Sequence, residues 1–199
     1  MPFYPLIGIS GAARVGKDTL CRALIREFKK INLIAIRKSI AGDTVKKDLQ
    51  ELLMQKLNID SFTENTDEKT LLRPILVEYG KLMRNTSQGR YFIDNFEYSR
   101  NTINIIPDIR YAEYKRDELS WLKDESKGVL IFLEREEISD ANETEKINNK
   151  IIRNFADHYI RWGRLDENDE KEKTLINSYA REFLVKKYLP LVDWTVRSL

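Results

Sequence analysis

The stretch LIGISGAARVGKDT, residues 6–19, decides the fold of this 199-residue chain. Its first residues, 6–10, are mostly apolar and predict a short buried strand. Gly11, Gly16 and Lys17 then follow at the spacing G-x-x-x-x-G-K. Glycines let the backbone curl so that several N–H groups point at one anion, and the helix that follows adds its positive end. We therefore predict that this loop binds a chain of phosphates and that Lys17 reaches the outermost of them.

The two residues after the lysine bear on metal binding. Loops of this kind usually continue with Ser or Thr, whose hydroxyl holds Mg²⁺, whereas this chain has Asp18 followed by Thr19. A carboxylate is a good ligand for a hard cation, so Asp18 and Thr19 remain alternatives for the metal. The residues predicted to bind the nucleotide phosphates are Gly11, Ala12, Ala13, Arg14, Val15, Gly16, Lys17, Asp18 and Thr19.

Strands and helices are predicted to alternate along the rest of the chain. Apolar runs typical of buried strands recur between stripes of apolar residues at helical spacing. This alternation predicts a three-layer α/β/α fold around a five-stranded parallel sheet, in a single domain over residues 1–199. The predicted strands are residues 6–10, 33–36, 102–107, 128–133 and 157–162.

Two segments are longer or more charged than a simple connection between parallel strands requires. Residues 42–101, between the second and third strands, predict a helical insertion that suits a substrate-binding subdomain. Within it, Pro74 is predicted at the first turn of a helix. After the third strand a polar helix is predicted over residues 113–124, and the charged segment 134–153 is interpreted as lid-like.

Composition and charge narrow the class of protein. The chain has 34 basic and 32 acidic residues, a net charge of +2, so no overall field attracts it to nucleic acid or to a membrane. No apolar stretch approaches the length of a membrane span and no signal peptide is recognisable, so we expect a soluble cytoplasmic protein. The single cysteine, Cys21, is interpreted as a packing residue, and the lone histidine, His158, makes a zinc site unexpected.

Arginines follow the predicted strands. In open parallel sheets, ligands bind beyond the carboxyl ends of the strands, and guanidinium groups bind phosphate oxygens in a two-pronged manner. Asp108 follows the third strand and either organises Mg²⁺ and its water or caps the next helix; the phosphate loop favours the first interpretation. The candidates at the strand ends are Arg14, Arg37, Asp108, Arg110, Arg135, Gly163 and Arg164.

Several segments resemble one known family. The loop GAARVGKDT, residues 11–19, is similar to that of the deoxynucleoside monophosphate kinases of bacteriophages and bacteria. SIAGDTVKKDL (39–49), LLRPILVEYGKLMRN (71–85), PDIRYAEYKRDEL (107–119) and FADHYIRWGRL (155–165) resemble further segments of that family, in the family's order. The resemblance implies a P-loop NTPase fold of the nucleoside monophosphate kinase type.

The resemblance also implies an activity. ATP with Mg²⁺ would donate its γ-phosphoryl group to the phosphate of a nucleoside monophosphate, in the cytoplasm of a bacterial or phage-infected cell. Because the acceptor is already anionic, alignment and charge neutralisation would carry catalysis. The implied catalytic residues are Lys17, Arg14, Asp18, Asp108, Arg110 and Arg135, with Asp18, Thr19 and Asp108 at the metal. The implied acceptor-binding residues are Arg37, Lys46, Arg73, Tyr79, Arg84, Arg90 and Arg110, while Gly163 joins the loop in binding ATP.

Other interpretations remain open. The chain fits a P-loop kinase for another phosphorylated metabolite, or for an alcohol with Asp18 or Asp108 as the base. It also fits a nucleotide-binding regulatory protein without transferase activity. A nucleic-acid role is disfavoured by the near-neutral charge, and the oligomeric state, a homodimer included, is left open.

Overall fold

The computed structural model describes residues 4–192 and contains a five-stranded sheet in which all pairings are parallel. The strand order is β2-β3-β1-β4-β5, so β1 lies at the centre, with Ile7 in register with both Ile105 and Val129. The predicted three-layer α/β/α fold with five parallel strands is therefore confirmed. The strands are β1 (Ile7–Ser10), β2 (Ala35–Arg37), β3 (Ile103–Ile106), β4 (Val129–Arg135) and β5 (His158–Trp162).

Seven α-helices accompany the sheet in the described part of the chain. Two of the helices continue as π-helical turns: α5 over Trp121–Glu125 and α7 over Leu184–Tyr188. None of the helices within residues 4–192 combines the length and the apolar character needed to span a bilayer. The helices are α1 (Lys17–Lys30), α2 (Gly42–Leu57), α3 (Thr66–Thr86), α4 (Arg90–Asp94), α5 (Glu118–Ser120), α6 (Glu143–Arg153) and α7 (Glu170–Phe183).

The chain divides into two compact units. The sheet unit comprises residues 1–38 and 98–199, of which 4–38 and 98–192 are described, and the helical unit comprises residues 39–97. The helical unit contains α2, α3 and α4 and overlaps the predicted insertion, residues 42–101. Its buried apolar residues include Val45, Leu49, Leu53, Leu72, Phe92 and Ile93.

The main core of the sheet unit lies between one face of the sheet and the helices α1 and α7. Alternate residues of the strands point to this face, as Ile7 and Ile9 do in β1. Cys21 of α1 is fully buried there, and burial raises the pKa of its thiol to about 12. Its interpretation as a packing residue is confirmed.

The helix α3 begins earlier than predicted. The sequence predicts Pro74 at a first helical turn, but Pro74 lies inside α3, which starts at Thr66. The cause is a strong cap: the side chain of Asn65 accepts hydrogen bonds from the backbone N–H groups of Asp67 and Glu68. This cap fixes the start of the helix two turns before the proline.

The predicted helix 113–124 is wrong in its first five residues. Asp117 is fully buried, and its carboxylate accepts hydrogen bonds from the backbone N–H groups of Glu113, at 3.1 Å, and Tyr114, at 3.3 Å. Its other oxygen caps α5 at Glu118, 2.9 Å away. The side chain thus offers the backbone an alternative to helical hydrogen bonds, and the helix begins only after it.

The second strand also starts two residues later than the predicted 33–36. The N–H of Leu33 donates to the carbonyl oxygen of Phe28 at 3.0 Å, and therefore still belongs to the C-terminal turn of α1. Sheet pairing consequently begins at Ala35, which is opposite Ile103.

Candidate phosphate-binding site

The loop between β1 and α1 curls tightly because of its two flanking glycines. Gly11 has φ of +132° and Gly16 has φ of +104°, both in the region that side chains rarely adopt. A Cβ on Gly11 would also overlap the carbonyl oxygen of Leu133 in the neighbouring strand β4. Arg14, at the tip, takes a left-handed φ of 64° and has an exposed side chain. The predicted G-x-x-x-x-G-K spacing therefore corresponds to a strand, a curled loop and a helix.

Trp162, at the end of β5, packs against the loop at Val15 and Gly16. Its indole Nε1 donates a hydrogen bond to the carbonyl oxygen of Val15 at 2.9 Å. Its ring packs so closely under Gly16 that a Cβ there would lie 2.8 Å from the ring carbon Cζ2. Trp162 was not among the predicted site residues, although it directly precedes Gly163 at a strand end.

Lys17 is folded back across the loop. Its Nζ donates to the carbonyl oxygens of Gly11 at 2.6 Å and Ala12 at 2.7 Å. Burial, and next the positive charge of Arg110, lower the pKa of Lys17 to about 8. The negative charges of Glu145, Asp18 and Asp108 act in the opposite direction.

These electrostatic influences place several predicted residues together. The charges of Asp18, Asp108 and Arg110 all act on Lys17, so these three predicted residues lie near it. A fifth group, Glu145, was not expected there and is described below.

Asp18 and Thr19 have side-chain partners on the protein surface. Asp18 accepts a hydrogen bond from Nε of Arg37 at 2.9 Å, and both side chains are exposed. The hydroxyl of Thr19 accepts from Arg22 at 3.2 Å. Predicted site residues Arg37 and Asp18 are thus brought together as an ion pair.

The oxygens at this site suit Mg²⁺ bound to a nucleotide. Residues 4–192 contain no cluster of three or more Asp, Glu, His or Cys side chains that would form an all-protein metal cage. Mg²⁺ in phosphoryl-transfer sites typically takes only one or two protein ligands and fills its remaining positions with phosphate oxygens and water. Asp18 and Thr19 offer such oxygens at the start of α1, and the charge of Asp108 is near enough to act on Lys17.

The segment after β3 is held rigidly by buried side chains. Glu118 accepts hydrogen bonds from the backbone N–H groups of Arg110, at 2.7 Å, and Tyr111, at 3.2 Å. The N-cap of α5 is Asp117, not Asp108, so the helix-cap interpretation of Asp108 does not hold. Arg110 therefore has a fixed backbone and an exposed side chain.

Glu145, in the first turn of α6, makes direct contact with the loop. The backbone N–H of Ala13 donates to its Oε1 at 2.9 Å, across 132 residues of sequence. Its Oε2 accepts from the N–H of Ala141 at 2.6 Å. The sequence offered only the pattern Asn142-x-x-Glu145, which is typical of a helix N-terminus and says nothing of the loop.

A cavity of about 660 Å³ lies beside the loop, between the end of β4 and α6. Ala12 and Val15 form its border with the loop. Arg135 also lines it, with a buried Nε that has no hydrogen-bond partner among the described residues. The charged residues that line the cavity are Glu134, Arg135, Asp140, Lys146, Lys150 and Arg153.

Gly163, predicted to bind ATP, lies in open space directly after β5. A Cβ built on it would meet no atom within 4 Å. The position is therefore accessible to a ligand, and its backbone does not require glycine.

Five predicted acceptor residues belong to the helical unit and have diverse surroundings there. The hydroxyl of Tyr79 donates to Asp48 at 3.3 Å, and that of Tyr91 donates to the same carboxylate at 2.9 Å. The hydrogen bond to Asp48 and partial burial raise the pKa of Tyr91 to about 12. The ammonium of Lys46 lies 5.2 Å from the ring centre of Phe62, and Arg90 pairs with Asp94 at 2.6 Å. Arg73 is exposed, whereas Arg84 is buried. With Tyr79, these are the five predicted residues.

No known protein family and no curated protein matches this chain. Its function must therefore be inferred from the residues and their geometry.

Proposed function

We propose that the protein is an ATP-dependent kinase that transfers the γ-phosphoryl group to the phosphate of a nucleoside or deoxynucleoside monophosphate. The observation that carries the proposal is the curled loop between β1 and α1, with Gly11 and Gly16 at positive φ and Lys17 at the first position of the helix. Such a loop presents backbone N–H groups and one positive charge to a phosphate chain. Its position at the centre of a parallel sheet is where nucleotides bind in open α/β folds.

The charges around the loop support phosphoryl transfer between two anions. Lys17 would accompany the transferred group, while Arg14 and Arg110 would neutralise charge between donor and acceptor. Arg135, whose buried Nε has no hydrogen-bond partner within residues 4–192, supplies a further guanidinium at the edge of the loop. An acceptor that is already an anion needs no strong base, in keeping with a site rich in cations.

Asp18, Thr19 and Asp108 would hold Mg²⁺ together with the phosphates. When bound, the ion withdraws negative charge from the phosphoryl oxygens. The ion pair between Asp18 and Arg37 holds that carboxylate beside the loop. Arg73, Arg84 and Arg90 of the helical unit are the residues that we assign to the acceptor phosphate.

A second candidate function is a nucleotide-binding regulatory protein without transferase activity. The observation that favours it is the carboxylate of Glu145, which already occupies an N–H group of the loop. The two candidates differ in one respect: the regulatory protein binds ATP but consumes none when an acceptor is added.

The decisive experiment measures ADP release with ATP and Mg²⁺ against a panel of ribo- and deoxyribonucleoside monophosphates. We expect at least one of them to accelerate turnover, and Lys17→Ala to reduce that turnover by roughly 10²–10³-fold or more. The matched control is Lys29→Ala, which removes an exposed lysine from the last turn of the same helix and should leave turnover unchanged. Turnover that no acceptor stimulates, or that survives Lys17→Ala, would contradict the proposal.

A further inference from the structure

We propose that Glu145 is an internal anion that closes the phosphate-binding loop, and that nucleotide binds only by displacing it. This inference rests on the proposed function, because it assigns a regulatory contact to the same loop. The observation behind it is the hydrogen bond from the backbone N–H of Ala13 to Glu145 Oε1, 2.9 Å long. A carboxylate oxygen there takes a donor that the loop would otherwise present to a phosphate oxygen.

The lysine of the loop is engaged at the same time. Lys17 donates to the carbonyl oxygens of Gly11 and Ala12 rather than pointing away from the loop. Among the negative charges near Lys17, that of Glu145 has the largest effect in favour of its protonated form. One carboxylate thus serves both the N–H of Ala13 and the charge of the lysine, the two features that a triphosphate would use.

The position of Glu145 is set by α6. Asn142 caps this helix by accepting a hydrogen bond from the N–H of Glu145 at 2.9 Å. Asn148, one turn later and buried, accepts from the N–H of Ala112 at 2.7 Å and so anchors α6 beside the segment after β3. The helix α6, which is fixed at its first turn, therefore positions Glu145 at the loop.

A helix cap alone does not account for this geometry. The cap is served by Oε2, which accepts from the N–H of Ala141 at 2.6 Å. The remaining oxygen, Oε1, takes no part in the cap and contacts the loop. The two oxygens thus have separate roles, and only the second involves the phosphate site.

The consequence is competition between two anions. A triphosphate that enters the loop meets a half-buried negative charge at the N–H of Ala13 and must move it away. Movement of Glu145 also releases Ala141, so that the turn before α6 loosens when nucleotide binds. Phosphate compounds that bind the loop only weakly are thereby excluded from it.

The test uses Glu145→Gln in the full chain, because glutamine keeps a side-chain oxygen for the cap but loses the charge. The dissociation constants for ATP with Mg²⁺ and for inorganic tripolyphosphate are measured by calorimetry. We expect both ligands to bind about tenfold more tightly to this variant than to the unmodified protein. The matched control is Glu143→Gln, in the same helical turn and exposed, which should change neither constant.

Equal or weaker binding by Glu145→Gln, with the unmodified protein binding in a manner that depends on Lys17, would overturn this inference and leave the proposed function standing. If neither protein binds either ligand, the proposed function fails, and this inference fails with it. A second measurement needs no variant: amide hydrogen exchange at Ala141 should accelerate when tripolyphosphate saturates the unmodified protein. Unchanged exchange at saturation would also overturn the inference.

Discussion

Replacement of Trp162 by Phe should weaken both the protein and its phosphate loop. The change removes the indole N–H that donates to Val15 O at 2.9 Å but keeps an aromatic ring under Gly16. Trp162 and Val15 are only 5% and 1% exposed, so water has little access to the carbonyl oxygen left behind. An unsatisfied buried acceptor costs about 1–3 kcal/mol, and the smaller ring adds about 1 kcal/mol of lost packing. We therefore expect the free energy of unfolding to fall by about 2–4 kcal/mol.

The same change should affect ligand binding, because Val15 and Gly16 belong to the loop itself. We expect the dissociation constant for ATP to rise about tenfold, the effect of about 1.4 kcal/mol of lost loop organisation. Urea unfolding measures the first effect and calorimetry the second. The matched control is Trp121→Phe: Trp121 is 4% exposed and packs 6.4 Å from the ring of Tyr98, so stability should fall while ATP binding stays unchanged. If the two variants bind ATP equally well, Trp162 does not position the loop and the reasoning is refuted.

Two further predictions concern the loop residues themselves. Gly11→Ala should lower the free energy of unfolding by about 2–4 kcal/mol, because φ is +132° and a Cβ would overlap the Leu133 carbonyl. Its control is Gly163→Ala, where a Cβ would meet no atom within 4 Å. In the same urea titration, the control should stay within about 0.5 kcal/mol of the unmodified protein. The pKa of Lys17 falls from an ordinary 10.5 to about 8 on folding, so the unfolded chain binds the additional proton between these values. We therefore compare the free energy of unfolding of the unmodified protein with that of Lys17→Met. The difference, unmodified minus variant, should rise by on the order of 3 kcal/mol from pH 8 to beyond pH 10.5. A difference that does not change with pH would show that Lys17 is not buried in this way.

The features that could be predicted from the sequence are local. The spacing of Gly11, Gly16 and Lys17 and the apolar runs on either side require no knowledge of distant residues, and they were enough to predict the parallel sheet and its loop. Likewise, the interpretation of Cys21 as a packing residue needed only its place in the helix after the loop, and the side chain lies in the core. Chemistry that depends on a short stretch of chain is visible in that stretch.

The features that were missed depend on residues far apart in the chain. Trp162 meets Val15 across 147 residues, and Glu145 meets Ala13 across 132. No periodicity encodes such contacts, because they arise only when β4, β5 and α6 pack around the loop. The predicted start of the helix at residue 113 was wrong for a related reason. Asp117 competes with the helix for backbone N–H groups, and it succeeds because it is buried. That burial cannot be predicted from the sequence.

The buried thiol in α1 has a practical consequence for labelling experiments. The chain contains one cysteine, fully enclosed in the core and with a thiol that is protonated at neutral pH. Maleimides and other thiol reagents need an accessible thiolate, so the native protein should present almost no background to them. A fluorophore or spin probe can therefore be attached at one newly introduced surface cysteine on each unit, with no need to remove the natural one. Distances between probes on the two units could then be followed as nucleotides are added.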